Sequence, residues 1–262
     1  MAQKVAVVTG GASGIGEATA RRFAKEGFAI AIVDANEANG TSVAKSLTEA
    51  GAKASFHACD VTNLASQEAI AADVARKIGP ADALVCSAGI IPNTESIMEM
   101  DLEAHKRMWD VNYNGTVYTV RAFAKAMIEA KRGAIVTLGS INSRSPLPIP
   151  AYNMGKVAIE RLTQLLSVEL GRHGIRVNSV GPTYVMTPPL RAKVQSGQRD
   201  LAKIMSVHAL DKLPEPSDIA NAIYFLCSEQ AAAITGVLLP VDAGFLSAVS
   251  YRTYAGGVPW QE

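Results

Sequence analysis

The sequence predicts a doubly wound α/β fold, a parallel sheet of about seven strands with helices on both faces. Three observations carry that expectation. Short apolar runs rich in β-branched residues alternate with longer helical stretches along the chain. Glycine stands just past one helical stretch after another, at 27, 51, 79 and 171 or 174, where a backbone leaving a helix turns left-handed. The runs at 5–8, 83–86 and 135–138 are apolar without alternation, as a sheet buried on both faces requires.

In order, residues 5–8 read as the first strand, 17–25 as a helix, and 29–33 as the second strand, which ends on Asp34. A helix over 36–50 leads to a strand over 54–59. Asn63 suits the cap of a helix reaching Ile78, ahead of the strand at 83–86. A long helical region over 103–130 stops near Gly133, before a strand over 134–138. Residues 151–170 read as a helix and 175–180 as a strand. Pro216 suits the first turn of a helix to Cys227, and Gly236 precedes the last strand, 237–241. Residues 181–215 are irregular and proline-rich, with room for two short helices, as in a lid or binding loop.

A chain of 262 residues with 48% hydrophobic content can bury a large core, and no linker, repeat or low-complexity tract divides it. One domain over 1–246 is expected, followed by a tail over 247–262 without periodicity. Tyr251, Tyr254 and Trp260 in that tail suit a subunit interface better than solvent. The net charge of +1, with no basic run, leaves no electrostatic footprint for nucleic acid. No apolar stretch is long enough for a bilayer, and the N-terminus lacks a charged region followed by an apolar core. A soluble cytoplasmic protein is expected. The scattered Cys59, Cys86 and Cys227 argue against a disulfide framework, and His57, His105, His173 and His208 show no ligand spacing, so no metal is expected.

Between the first strand and the first helix lies Thr9-Gly10-Gly11-Ala12-Ser13-Gly14-Ile15-Gly16. Strand, glycine loop, helix, second strand and terminal acid form one Rossmann-type βαβ unit suited to a dinucleotide. The glycines let the backbone turn sharply and approach a pyrophosphate, and the helix beginning near Gly14 aims free N–H groups at it. Asp34 would accept from the adenosine ribose hydroxyls, although the same residue type also caps helices.

Ligands in a doubly wound sheet sit beyond the carboxyl ends of the strands. The candidates there are residues 9–16, Asp34, Asp60-Val61, Ser87-Ala88-Gly89, 140–145 and 181–187. Asp60 reads equally as a helix cap competing with Asn63 or as a ligand for the adenine amino group. Tyr152 and Lys156, at i and i+4, share a helix face and reach one ligand together. A nearby ammonium and an oxidised nicotinamide both favour the phenolate and would lower the tyrosine pKa. Taken alone, the pair equally describes an amphipathic helix with a snorkelling lysine.

In order along the chain, Thr9-Gly10-x3-Gly14-x-Gly16, Asp60, Ala88-Gly89, Asn112, Ser140 and Tyr152-x3-Lys156 resemble the motif set of the short-chain dehydrogenases/reductases. Gly181-Pro182 through Thr187-Pro188, and Val241-Asp242-Ala243-Gly244, extend the likeness over about residues 5–245. The resemblance implies that Tyr152 is the acid/base and that Lys156 holds the nicotinamide ribose while lowering the tyrosine pKa. It implies that Ser140 bonds the substrate oxygen, and that Asn112 supports a water-linked proton relay to Lys156. Gly10, Ser13, Gly14, Ile15, Gly16, Asp34, Asp60, Val61, Ser87, Ala88, Gly89, Pro182, Val185 and Thr187 would contact the coenzyme, together with Tyr152 and Lys156. The chain departs from the pattern in several places. Cys86-Ser87 replaces the usual Asn-Asn, the Ser140-to-Tyr152 spacing is one residue shorter, and Gly139 stands at a common serine. Thr183 and Ala243 stand where glycine is common.

The expected activity is hydride transfer between NAD and a secondary alcohol or ketone, on a small polyol, sugar or hydroxyketone. Neutral Ala35 and Ser13 beside Asp34 favour NAD over NADP. Asn142, Leu147 and Tyr184, with Ile90, Val185 and Met186, are the candidate substrate contacts, and Arg144 or Arg191 would serve an anionic substituent. The alternatives are an acyl-carrier-protein-type 3-ketoacyl reductase and a catalytically silent nucleotide-binding scaffold. The resemblance also implies a homotetramer.

Overall fold

The computed structural model describes residues 3–91 and 95–252. Its strands are β1 (Val5–Thr9), β2 (Ala29–Asp34), β3 (Ala54–Ala58), β4 (Ala83–Cys86), β5 (Gly133–Leu138), β6 (Ile175–Pro182) and β7 (Leu238–Val241). All seven join one sheet in the order β3-β2-β1-β4-β5-β6-β7, each neighbouring pair parallel. The order reverses between β1 and β4, and a crevice opens at that point beyond the strand ends.

Alternate residues of each strand feed opposite cores. Val5, Val7, Val33, Leu84 and Ile135 face one side, with Phe123 and Met127 of α5 (Gly115–Ala130) packed on them. Ala6, Val8, Ile32, Val85 and Val136 face the other, against Phe23 of α1 (Gly14–Lys25) and Ile219 and Ile223 of α9 (Pro216–Cys227). Period-2 alternation with both sides apolar leaves no polar face, which is why these strands read as continuous hydrophobic runs. Asn36 caps α2 (Glu37–Glu49) and Asn63 caps α3 (Leu64–Lys77), each side chain accepting an N–H three residues on, at 3.0 Å.

Three elements differ from the reading of the sequence. The long helix expected over 103–130 is α4 (Leu102–Trp109) and α5, joined through a π-helical turn at Asp110–Asn114. α5 ends on Lys131 in the left-handed region, φ 51°, rather than at Gly133 two residues on. The segment read as aperiodic from 247 begins inside a helix, α10 (Phe245–Arg252), which runs across the expected 246/247 division. The Asp242 carboxylate accepts from the N–H groups of Gly244 and Leu246, both at 2.9 Å, and Phe245 and Ala248 are buried one turn apart. Residues 253–262, with Tyr254 and Trp260, lie outside the described residues. The proline-rich stretch holds α7 (Pro188–Gln195) and α8 (Leu201–Met205), the two short helices allowed for it.

Gly139 sits where the backbone of β5 leaves the sheet beside β6 and β7. A Cβ there would stand 2.6 Å from Ser179 Oγ and 2.7 Å from Leu238 Cδ1. The position has no room for the serine common there, and the hydroxyl falls on Ser140.

Candidate active site

A cleft of about 880 Å³ opens at the switch point. Gly10, Ser13, Gly14, Ile15 and Gly16 form one wall, Asp34 and Asp60-Val61 line the far end, and Ser87-Ala88-Gly89 line the side of β4. Close approach dictates the glycines. A Cβ on Gly16 would lie 2.0 Å from the Gly10 carbonyl oxygen, and one on Gly10, at φ +69°, would lie 2.7 Å from the Ala88 backbone. The N-terminus of α1 faces this wall, and the side chain of its N-cap residue, Ser13, makes no capping bond. The first-turn N–H groups and the Ser13 hydroxyl are therefore free of local partners that would compete for a phosphate.

Asp34 is not a helix cap; Asn36 fills that role. The Asp34 carboxylate instead accepts from Ala12 N–H at 3.0 Å and Asn36 N–H at 2.9 Å, tying the glycine loop to the end of β2. Asp60 accepts from the backbone and hydroxyl of Thr62, at 2.9 and 2.8 Å, and pairs with Arg107 at 2.8 Å. Partial burial alone would raise its pKa, but the bonds from Thr62 and Arg107 outweigh it, so the carboxyl lies below the usual range. Arg107, Glu17, Arg21, Asn39 and Ser42 also line the cleft, and sequence reasoning missed all five. Only Glu17 and Arg21, an i, i+4 ion pair at 2.8 Å, left a signal in their spacing.

Beyond Ser87-Ala88-Gly89 the second group of residues comes together. α6 (Pro150–Gly171) starts at Pro150 and presents half-buried Tyr152 and buried Lys156 on one face. Lys156 Nζ lies 5.3 Å from the Tyr152 ring centroid and donates to the Leu138 carbonyl at 2.6 Å, and Leu138 lines the cleft. Ser140 lies within hydrogen-bonding reach of the Tyr152 hydroxyl. Burial raises Tyr152 to about 12, with the Ser140 contact pulling the other way, and burial lowers Lys156 to about 8. The expected lowering of the tyrosine by the lysine is therefore reversed by the protein's own groups. Desolvation is the leading cause for both side chains.

Asn112 stands in the π-helical turn. Its side-chain amide is spent on Ile90, accepting from the N–H at 2.8 Å and donating to the carbonyl at 2.9 Å. Its main-chain carbonyl accepts the Thr116 hydroxyl at 2.9 Å. A π turn at a cleft is a common way to turn a backbone group out of the helical ladder. Thr187 lines the cleft at the start of α7. Val185 is buried in the hydrophobic core, and Pro182 closes β6 opposite Val241.

Of the candidate substrate contacts, buried Asn142 lies beside Ser140, and the Leu147 carbonyl accepts from Asn153 at 2.6 Å. Tyr184 packs edge-on against buried His208, ring centroids 6.5 Å apart. Ile90 lines the cleft. Both arginines hold ion pairs with neighbouring glutamates. Arg144 pairs with Glu160 at 3.0 Å and Arg191 with Glu215 at 3.1 Å.

A family model described as Enoyl-(Acyl carrier protein) reductase matches residues 10–246. A solved oxidoreductase of the short-chain dehydrogenase/reductase family from Burkholderia thailandensis is 32% identical, covering 94% of each chain with a TM-score of 0.86. The chain belongs to the short-chain dehydrogenase/reductase family. As a short-chain dehydrogenase/reductase it is an oxidoreductase, and its parallel sheet is the Rossmann-type fold expected. Galactitol 2-dehydrogenase of Rhizobium johnstonii is 37% identical over 243 residues, 92% of this chain and 94% of that protein. A solved NAD⁺-bound xylitol dehydrogenase is 27% identical, covers 92% of this chain and 98% of its own, and has a TM-score of 0.87.

Proposed function

We propose that this short-chain dehydrogenase/reductase oxidises a secondary alcohol of a small polyol or sugar-like substrate to the ketone, using NAD, and runs the reverse reduction. One observation carries the reading: the Tyr152 and Ser140 hydroxyls and the Lys156 ammonium meet beside Leu138, on the lining of a cleft fitted to a dinucleotide. NAD, when bound, would supply the hydride acceptor, with alcohol and NAD⁺ balancing ketone, NADH and one proton. Tyr152 receives that proton from the substrate hydroxyl, and Ser140 holds the substrate oxygen against it. Lys156 lends positive charge to the forming phenolate, and Asn112 fixes the Ile90 backbone at the rim. Gly10, Ser13, Gly14, Ile15 and Gly16 would hold the pyrophosphate, with Asp34 on the ribose, Asp60 and Val61 at the adenine, and Thr187 at the nicotinamide. The polyols named for two relatives support an acyclic polyol as substrate. Incubating the protein with NAD⁺ and galactitol, xylitol and related alcohols should reduce the coenzyme, read at the nicotinamide absorbance. Inactivity across that series sinks the reading.

An acyl-carrier-protein substrate is the second reading, favoured by the description of the family model. Arg144 and Arg191, the loop cations that would meet its phosphate, are both already paired.

Coenzyme choice follows from Asp34, whose carboxylate repels a 2′-phosphate. Of the cations lining the cleft, Arg21 is engaged by Glu17 at 2.8 Å and Ser46 at 3.1 Å, and Arg107 by Asp60 at 2.8 Å. NAD should bind at least about tenfold more tightly than NADP, about 1.4 kcal/mol. Titration of both coenzymes checks this, and equal affinity contradicts it.

We propose that the assembly is a homotetramer in a reducing cytoplasm. Cys59, Cys86 and Cys227 are all free thiols. Among the described residues no helix is long and apolar enough to cross a membrane. Met154, Val157, Leu165 and Val168 form an exposed apolar stripe along one face of α6, with Val168 81% exposed. A stripe of that length on a helix is expected to be covered by another subunit. Light scattering should give four chains per particle, and Leu165→Glu with Val168→Glu should dissociate it. A monomer in the unmodified protein refutes the assignment.

A further inference from the structure

The buried face of α3 carries one residue that does not match its neighbours. Positions 67, 71 and 74 are buried at helical spacing, and two of them are Ala71 and Val74, which pack in the core shared with α5. The third is Gln67, 0% exposed. A buried amide costs stability unless its donors and its acceptor find partners. Here they do. Gln67 Nε2 donates to the Val61 carbonyl at 2.6 Å and lies 3.4 Å from the carbonyl of Gly115, the first residue of α5. Its Oε1 accepts from the Thr119 hydroxyl at 2.7 Å. Carbonyls only accept, so the pair on one side fixes which end of the amide faces Val61. Val61 lines the cleft from the turn between β3 and α3. It is 5% exposed, and its side chain lies against α5, where a Cβ on Gly115 would stand 2.6 Å from Val61 Cγ2. Asp60, the residue before it, is held from the solvent side by Thr62 and Arg107. On the core side the turn is held by Gln67.

Resting on the placing of adenine at Val61 above, we propose that Gln67 is a positioning residue which, by holding the Val61 carbonyl toward α5, keeps the adenine end of the cleft in its binding arrangement. An apolar side chain of similar volume would pack α3 on α5 at least as well, since the face is otherwise apolar. It would not hold the turn. Without that donor, in a site nearly closed to water, Val61 turns away to satisfy its carbonyl. The arrangement that receives adenine then becomes a minor population, and coenzyme affinity falls by that fraction. Tyr152, Ser140 and Lys156 meet beyond the β4 side of the cleft, so a coenzyme once bound reacts as before.

Two variants separate this from a packing role. Gln67→Met removes the amide and keeps the bulk. Gln67→Met combined with Thr119→Val makes both sides of the contact apolar, which protects folding if the single variant is unstable. Each should weaken NADH and ADP-ribose about tenfold, measured by fluorescence and calorimetric titration. The factor should be the same for the two ligands, because both carry the adenosine half. At saturating NAD⁺, kcat and the KM for the alcohol should stay within about twofold of the unmodified enzyme. A shifted thermal midpoint with unchanged affinities would show packing alone and overturns the proposal. A loss of NADH affinity that spares ADP-ribose, or a fall in kcat as large as the loss of affinity, overturns it too. If the unmodified protein turns over no alcohol, the dehydrogenase reading fails while the two titrations still decide this one. If it binds neither NADH nor ADP-ribose, the coenzyme assignment of the cleft fails, and the proposal goes with it.

Discussion

Tyr152→Phe should lower kcat for alcohol oxidation by about three orders of magnitude or more while leaving NAD affinity unchanged. The substitution keeps the ring on α6 and removes only the group that takes the proton. Burial holds the Tyr152 hydroxyl up to about 12, so at neutral pH the free protein carries it almost wholly protonated. A protonated phenol is ready to reduce a ketone and must first ionise to oxidise an alcohol. Oxidation should therefore rise about tenfold per pH unit along its acid limb, while ketone reduction stays flat over the same range. A stopped-flow pH series in both directions tests the sign. Appreciable activity in the phenylalanine variant would assign the proton to another group.

Lys156→Met should cost about two to three orders of magnitude in turnover, because it removes the cation beside the forming phenolate. Its effect on stability has a different pH signature. Burial lowers the Lys156 ammonium to about 8, against an ordinary value of 10.5. In the unfolded chain the lysine is charged up to about its ordinary pKa, so between these values the unfolded state binds more protons than the folded one. Stability contributed at this position is fully present above 10.5 and lost as pH falls toward 8. Measured against Lys156→Met, the unmodified protein should gain on the order of 2–3 kcal/mol of unfolding free energy as pH rises through that window. Denaturant titrations of both proteins at several alkaline pH values read the difference directly. A difference that stays flat with pH would mean that the bond to the Leu138 carbonyl offsets burial and leaves the ammonium at its ordinary pKa.

Features set by local spacing were legible in the sequence, and those set by loop conformation were not. The glycine loop could be read because strand, turn and helix follow one another without a gap. Tyr152 and Lys156 could be read because four residues make one helical turn. Choosing Ser140 over position 139 was also possible, since it follows β5, and the packing of Gly139 against Ser179 and Leu238 gives the reason. Arg107 was not legible as a partner of Asp60, because 47 residues separate them and only the placement of α4 joins them. Gln67 escaped notice for a related reason. Its bond to Thr119 spans 52 residues and depends on how α3 packs on α5, and its place at helical spacing hid it in an ordinary helix. The π turn at Asn112 has no periodic signature over five residues, and it was absorbed into a single long helix.

Asp34 holds the amides of Ala12 and Asn36 with the same carboxylate that we propose for the coenzyme ribose. Coenzyme preference and the shape of the glycine loop are thus written in one side chain and cannot drift apart. A replacement that merely removes the negative charge also strands two backbone donors and slackens the phosphate wall, so both coenzymes are lost before the new one is gained. A lineage or an engineer moving this enzyme toward NADP must pass through that valley or cross it in one step, supplying a new acceptor for Ala12 as Arg21 is released from Glu17. The preference is old furniture built into the wall.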